Sequence, residues 1–70
     1  MKIILPTKDI SGKIVEIRID RSFSPDFSPD FIPQGITQIV LDIRQNLLKG
    51  NHILEIITEK GNYAKFTLNV

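Results

Sequence analysis

Apolar and polar residues alternate most regularly over residues 51–70, at the C-terminal end of the chain. In an extended chain Leu54 and Ile56 point to one side, and the residues between and around them point to the other. Gly61 and Asn62 then interrupt the alternation, and both residue types accept the positive φ that a tight hairpin turn needs. The alternation resumes after this turn, so the stretch predicts a β-hairpin with one face towards the core.

Two further strands are predicted in the N-terminal part of the chain. Residues 1–5 are mostly apolar, and Pro6 ends them because proline has no backbone N–H for a strand ladder. Residues 13–20 alternate between apolar and polar side chains. The apolar positions of this second strand, which we expect to face the core, are Val15, Ile17 and Ile19.

Residues 36–49 fit two structures, and the fold class depends on which one they form. As a helix they carry an apolar stripe that Gly50 would end. As a strand they alternate: Thr37, Ile39, Leu41 and Ile43 face the core, and Val40 is an apolar residue on the opposite side. We favour the strand, because Leu41 lies off the helical stripe and the segment is rich in β-favouring residues. The strand gives an all-β sandwich, whereas the helix would give an α+β fold with a ββαββ, β-grasp-like layout.

The composition indicates one small domain, residues 1–70, with a narrow stability margin. A chain of 70 residues buries only roughly 60% of its unfolded surface. It has no cysteines, so a disulfide framework and a cysteine-based zinc site are both excluded. Additional burial would have to come from a second copy of the chain or from a neighbouring domain.

Charged residues are scattered along the chain. The formal net charge is +1, from nine Lys and Arg and eight Asp and Glu. No basic run or stripe gives the electrostatic footprint of a nucleic-acid-binding protein. No apolar run approaches the ~20 residues of a membrane-spanning helix. We therefore expect no nucleic-acid partner and no membrane insertion.

Residues with catalytic or metal-binding chemistry do not cluster in the sequence. His52 is the only histidine, and a histidine without cysteines or grouped carboxylates predicts neither a metal site nor a catalytic base. We expect its ring to be half buried, with one nitrogen hydrogen-bonded. Asp20, Asp26 and Asp30 lie in or beside a proline-rich loop, where aspartate more often stabilises a turn than binds calcium. The sequence predicts no enzyme activity, no catalytic residue, no cofactor and no metal.

A tandem tetrapeptide, Ser-Pro-Asp-Phe, occupies residues 24–27 and 28–31. Proline and aspartate at this density are typical of turns. Phe23, Phe27 and Phe31 are predicted to anchor this loop over the end of the core. The alternative is a flat aromatic platform for a sugar or a peptide.

Three apolar residues are predicted on the outward faces of strands. Ile53 and Ile57 alternate with the core-facing residues of the hairpin, and Val40 does the same on its own strand. Contiguous exposed apolar area is typical of a contact surface. We therefore predict that Ile53, Ile57 and Val40 form an interface with a protein partner, a neighbouring domain or a second copy of this chain.

Short motifs near both ends of the chain resemble a known family. They are Ile4-x-Pro6-Thr7, Gly12-x-x-Val15-x-Ile17, Phe23-Ser24-Pro25, Thr37-Gln38-Ile39, Leu47-x-x-Gly50-x-His52-x-Leu54 and Gly61-Asn62. Together they are similar to the opening, middle and closing strands of the IPT/TIG group of immunoglobulin-like domains, which more often has tyrosine at the position of His52. The resemblance covers residues 3–25 and 36–70.

This resemblance implies a small immunoglobulin-like β-sandwich without catalytic activity. Domains of this group serve as spacer or recognition modules, often one of several in a surface or polymer-binding protein. The family has one or two further strands in the middle of the domain, for which residues 26–35 leave no room. The resemblance therefore implies an abbreviated sandwich, or one whose missing strands come from another chain.

Overall fold

The computed structural model describes residues 1–23 and 26–70, and these residues form eight β-strands and no helix. The strands are β1 (Lys2–Pro6), β2 (Gly12–Ile19), β3 (Ser22–Phe23), β4 (Phe27–Ser28), β5 (Phe31–Ile32), β6 (Gln38–Ile43), β7 (Asn51–Thr58) and β8 (Tyr63–Asn69). The prediction of an all-β fold is confirmed. The ββαββ alternative, with a helix at residues 36–49, is not supported.

Two antiparallel sheets form a small β-sandwich. The smaller sheet has the strand order β1-β6-β4, and the larger sheet has the order β3-β2-β7-β8, with β5 pairing to the start of β2. The predicted hairpin is formed by β7 and β8, where Ile56 lies opposite Ala64. β7 also pairs with β2, where Ile56 lies opposite Ile17. β7 is therefore a central strand, and β8 lies at an edge of the larger sheet.

The core lies between the inner faces of the two sheets. Its buried apolar side chains are all isoleucine or leucine: Leu5, Ile10, Ile14, Ile17, Ile19, Ile32, Ile39, Leu41, Ile43, Leu54 and Ile56. Burying an aliphatic side chain of this size contributes roughly 1.5–3 kcal/mol, so these residues dominate the stability of the sandwich. Phe27, Phe66 and Leu68 pack against the core from its margins and are only partly buried.

The alternation that favoured a strand for residues 36–49 is present in β6. Ile39, Leu41 and Ile43 are buried in the core, whereas Val40 is 51% exposed. The prediction for Thr37 is wrong, because this residue precedes β6 in a bend and is exposed.

A β-bulge in β2 overturns the prediction that Val15 faces the core. Ile14 lies opposite Thr58, and Glu16 lies opposite Ile57, so Val15 is an extra residue with no partner of its own on β7. An extra residue shifts the alternation of the bulged strand by one position. Val15 is consequently 51% exposed, and Ile14 is buried in its place.

The short strands β4 and β5 correct the expectation that residues 26–35 leave no room for further strands. β4 pairs with β6, where Phe27 lies opposite Ile43. β5 pairs with β2, where Ile32 lies opposite Gly12, and the side chain of Ile32 is fully buried. Each strand is two residues long, which is too short for an alternating pattern to show in the sequence.

Candidate functional site

His52 lies at the start of β7, and both nitrogens of its ring have a hydrogen-bond acceptor. Nδ1 lies 2.5 Å from Oδ2 of Asp20, and Nε2 lies 2.6 Å from the backbone oxygen of Leu48. A carboxylate and a carbonyl only accept hydrogen bonds, so both contacts are hydrogen bonds at the same time only when the ring is protonated. The sequence predicted one hydrogen-bonded nitrogen, and the structure shows two.

The turn between β2 and β3 positions Asp20 for this contact. Ile19 lies opposite Ser22, so Asp20 and Arg21 form a two-residue hairpin loop, and both have positive φ, 51° and 69°. Positive φ at both loop positions is the geometry of a type I′ turn, in which aspartate is a favoured residue. The turn is tied to β7, because Oδ1 of Asp20 accepts the N–H of Ile53 (3.0 Å) and the N–H of Asp20 donates to the oxygen of Ile53 (2.8 Å).

These contacts shift both acid–base equilibria towards the charged pair. The hydrogen bond from His52, followed by that from the N–H of Ile53, lowers the pKa of Asp20 below its usual value. The hydrogen bond to Asp20, followed by that to Leu48, raises the pKa of His52 above its usual value. The Asp20–His52 pair connects the β2–β3 turn to β7, and we name it the clamp.

Charged side chains cross the outer face of the larger sheet. Arg18 on β2 lies opposite Glu55 on β7, which in turn lies opposite Lys65 on β8. Arg18 also forms an ion pair with Glu16. The hydroxyl of Tyr63 donates a hydrogen bond to the Glu55 carboxylate, and this bond raises the pKa of Tyr63. The alternating signs keep this face free of a net charge stripe.

An apolar row lies beside these charges on the same face. Ile57 lies opposite Tyr63 on one side and opposite Glu16 on the other, where the bulged residue Val15 comes directly before Glu16 in the chain. Ile57 is partly buried, whereas Val15 and Tyr63 are each more than half exposed. We name Val15, Ile57 and Tyr63 the outer-face row, because together they cross three neighbouring strands.

The structure separates the three residues that the sequence predicted as an interface. Ile53 and Ile57 share the outer face of the larger sheet, where both are partly buried. Val40 belongs to the smaller sheet and lies opposite Ile4. These two residues are 51% and 66% exposed, and they form a separate apolar pair on the other side of the sandwich.

Sequence reasoning missed Val15 and Ile4 as exposed apolar residues. The bulge that turns Val15 outward has no signature in an alternating sequence. The pairing of Ile4 with Val40 joins strands 36 positions apart and requires the register of the sheet. The contact between Ile57 and Tyr63 could have been found, because a hairpin turn at Gly61 fixes which residues lie opposite each other.

The phenylalanines of the proline-rich loop have different surroundings. Phe27 is partly buried and packs against the core, as an anchor would. Phe31 is more than half exposed on β5. The side chain of Phe23 lies outside the described part of the structure, as do Ser24 and Pro25. Asp20, the first of the three candidate calcium ligands, is engaged by His52, and Asp26 and Asp30 are exposed.

Two shallow grooves follow the side of the sandwich where β1 and β8 face each other. The first has a volume of about 290 Å³ and is lined by Met1, Lys2, Ile3, Leu68, Asn69 and Val70. The second has a volume of about 180 Å³ and is lined by Pro6, Lys8, Asp9, Ile10, Ala64 and Phe66. β1 and β8 are edge strands of different sheets, so this side of the sandwich is open.

Across residues 1–23 and 26–70, no three His, Cys, Asp or Glu side chains are grouped closely enough to hold a metal ion. The described part of the chain has no helix with the length and apolar character needed to span a membrane. Comparisons of this chain with known protein families, curated proteins and solved structures find no match.

Proposed function

We propose that this chain is a non-catalytic immunoglobulin-like module that binds a protein partner or a neighbouring domain through the outer face of its larger sheet. In a larger surface or polymer-binding protein it would be one recognition or spacer domain among several, as the resemblance to the IPT/TIG group implies. Two features support this proposal: the order of the strands and the exposed apolar row.

The strand order is compatible with an immunoglobulin-like topology. Constant-type immunoglobulin domains have the order A-B-E-D in one sheet and C-F-G in the other. The smaller sheet here, β1-β6-β4, corresponds to B-E-D, and β2-β7-β8 corresponds to C-F-G. β3 takes the position next to C that variable-type domains fill with C′. Among the strands of residues 1–23 and 26–70, none corresponds to strand A.

The outer-face row is the observation that carries the binding proposal. Val15 and Tyr63 expose more than half of their surface, and Ile57 joins them across β7. Protein interfaces concentrate tyrosine and apolar side chains at their centre and place polar residues around them. The charges of Arg18 and Glu55 beside the row provide such a rim.

The state of His52 is consistent with a binding role. Both nitrogens of this ring are held by acceptors, so its hydrogen bonds stabilise the fold. The pair fixes the β2–β3 turn against β7, and a surface that is ordered before binding costs less entropy to bind.

A lysine scan of the two sheet faces tests the proposal. Ile57→Lys places a charge in the outer-face row, and Glu16 lies opposite this position, so the lysine has a carboxylate near it and the fold should persist. Val40→Lys is the matched control, because it changes a β-branched residue on the outer face of the other sheet. Proteins that bind a tagged chain in its native host are quantified by mass spectrometry after capture with each variant.

We expect Ile57→Lys to weaken capture of the partner by at least tenfold, which corresponds to ~1.4 kcal/mol, while Val40→Lys retains it. Thermal unfolding of both variants confirms that they are folded. Identical sets of captured proteins for the wild type and both variants would contradict a binding role for this face. That outcome would favour a spacer without a partner of its own.

A further inference from the structure

The free edge of β8 presents unpaired backbone groups in a regular order. Val70 and Gly50 exchange two backbone hydrogen bonds of 2.9 Å, and such mutually bonded pairs recur at every second residue of an antiparallel ladder. The even-numbered residues of β8 therefore bond to β7. The N–H and C=O groups that point to the free edge belong to the odd-numbered residues Tyr63, Lys65, Thr67 and Asn69.

The inward side chains of β8 are incompletely covered. Ala64, Phe66 and Leu68 pack against the core but are only partly buried. They also line the two grooves that separate β8 from β1. A further strand beside β8 would therefore gain backbone hydrogen bonds and cover apolar surface at the same time.

The two edge strands that line these grooves are protected to different degrees. β1 has five residues, and its last residue, Pro6, has no N–H to offer at the edge. β8 has seven residues and contains no proline, no glycine and no inward-pointing charge. Short strands, prolines, inward charges and lysines on the edge strand are among the devices that prevent unwanted pairing at a sheet edge. β8 carries only the last of these, Lys65, so its edge can pair with another strand in a register that keeps this lysine away from its copy.

We propose that two copies of this chain pair through β8, antiparallel and about a twofold axis at Phe66, so that the two larger sheets become one continuous sheet. Phe66 is the central residue of β8. In this register Tyr63 lies opposite Asn69 of the second copy, and Lys65 lies opposite its Thr67. Each of these pairs consists of two residues with free edge groups, and each pair exchanges two backbone hydrogen bonds.

Charge and side-chain size favour this register over its neighbours. Lys65 is the only charged residue of β8. A shift that centres the pairing on Lys65 would place two lysines directly opposite each other, which is destabilising. A shift in the other direction, centred on Thr67, leaves Tyr63 unpaired. The proposed register pairs all seven residues.

The inward side chains also fit this register. Ala64 lies opposite Leu68 of the second copy, so a small side chain faces a large one, and Phe66 lies opposite Phe66. Aromatic pairs across antiparallel strands contribute to sheet stability. The second copy covers the partly buried side chains of β8 that line the two grooves. This inference goes beyond the proposed function, since it concerns the edge of the sheet and not the outer-face row.

Analytical ultracentrifugation of the wild-type chain and of proline variants tests the pairing. Thr67→Pro removes a free edge N–H and places the ring where the second copy would bond, while the bonds of β8 to β7 are kept. The backbone groups of Met1 and Thr7 bond on the side of strand β6, and such bonds recur at every second residue, so the odd-numbered residues of β1 face β6. The N–H of the even-numbered Ile4 therefore points to the free edge of β1, and Ile4→Pro is the matched control. Thr67→Ala controls for loss of the side chain.

We expect the wild type, Thr67→Ala and Ile4→Pro to form a dimer as concentration rises. Thr67→Pro should increase the dissociation constant at least tenfold. A wild-type chain that remains monomeric at millimolar concentration would overturn the pairing. The pairing would also be overturned if Thr67→Pro left the dimer intact, or if Ile4→Pro abolished it. Ile57→Lys should leave the dimer unchanged, so failure of this inference is distinguishable from failure of the proposed function.

Cysteine cross-linking provides a second test that does not depend on the folding of a proline variant. The chain has no cysteines of its own. Phe66→Cys would place two sulfurs at a non-hydrogen-bonded pair with Cα atoms about 4.5 Å apart, within the range of a disulfide. Ala64→Cys is the control, because its two copies would be roughly 13 Å apart along the strand. We expect a disulfide-linked dimer from Phe66→Cys alone, and equal cross-linking of the two variants would overturn the register.

Discussion

The imidazole of His52 bridges the Asp20 carboxylate and the Leu48 carbonyl, so its protonation is coupled to the stability of the fold. The side chain is 13% exposed, and only the charged ring can donate to both acceptors. Loss of the proton would leave one acceptor without its hydrogen bond. An unmade hydrogen bond costs free energy, and this cost is reduced here because the Asp20 carboxylate is 50% exposed and can bond to water. The clamp should therefore make the stability of this small domain depend on pH.

The direction of this dependence follows from the two pKa shifts. The pKa of His52 is raised from 6.5. The stabilisation of the fold by the charged ring is therefore complete below pH 6.5, and it is lost as the pH rises through the raised pKa. The pKa of Asp20 is lowered from 3.8, so its contribution is complete above pH 3.8 and is lost as the pH falls through the lowered value. We expect the free energy of unfolding in urea to decline on the alkaline side of this window in the wild type.

Asp20→Asn should remove most of that alkaline decline, because the neutral amide no longer stabilises the imidazolium. Asp26→Asn changes an exposed aspartate in the neighbouring loop and serves as the control. Titration of the His52 ring protons by NMR gives an independent measurement, with a midpoint above 6.5 in the wild type and a lower midpoint in Asp20→Asn. Equal midpoints in these two proteins would contradict the clamp.

Single residues differ in how far the sequence could predict them. The place of His52 at the start of a strand was predictable from the alternation that follows it. Its partner was not, because Asp20 lies 32 residues away, and the two meet only through the pairing of β2 with β7. The prediction that His52 has no catalytic role did not require the partner, since it was based on the residue types that are missing around it in the sequence.

At the level of elements, the bulge in β2 explains both the exposed Val15 and the buried Ile14. Removing Val15 would place Ile14 directly before Glu16, and these residues already lie opposite the adjacent residues Thr58 and Ile57. The remaining alternation would then be regular. We expect a chain lacking Val15 to fold, with a change in unfolding free energy of about 1 kcal/mol, the typical size for one substitution.

Deletion of Arg18 is the control for this experiment. It lies in the regular part of β2, opposite Glu55, and a one-residue shift there turns every side chain on one side of the deletion to the opposite face. We expect this variant to lose cooperative thermal unfolding, measured by circular dichroism. Similar unfolding curves for the two deletions would show that Val15 cannot be removed without disturbing the register of β2 with β7.

The elements that the sequence predicted are those with many alternating positions. The β7–β8 hairpin and β6 each contain at least six residues, and their inward faces are as predicted. The strands β3, β4 and β5 have two residues each, and a pattern with a period of two cannot be recognised over that length. β4 and β5 bring Phe27 to the margin of the core and Ile32 into the core, and that contact depends on the rest of the sandwich.

For the whole molecule, the sequence predicted two layers but not which strands share a layer. Val40 was grouped with Ile53 and Ile57 because all three alternate with core residues. Their separation depends on the pairing of β6 with β1 and of β7 with β2. Nothing within either strand specifies its neighbour in the sheet. The sequence could therefore place these apolar residues on the outward faces of strands but could not show that they lie on two different sheets.

The same distant pairings should determine how fast the domain folds. Lys2 lies opposite Asp42, and Ile17 lies opposite Ile56, so closing each sheet requires a long loop to form first. Domains dominated by such pairings fold in roughly milliseconds to seconds, whereas those dominated by local helical contacts fold in microseconds to milliseconds. We expect stopped-flow refolding of the dilute chain to show a resolved phase in the slower range.

Pairing through β8 adds a second expectation to the same experiment. The edge groups of β8 are in place only when β7 and β8 have paired, so the dimer should form from two folded copies. Its rate should rise in proportion to chain concentration, while the folding phase stays constant, and Thr67→Pro should remove only the concentration-dependent phase. A folding phase whose rate itself depends on concentration would show that the second copy is needed before the sandwich closes. In that case β8 would be part of one core shared by two chains.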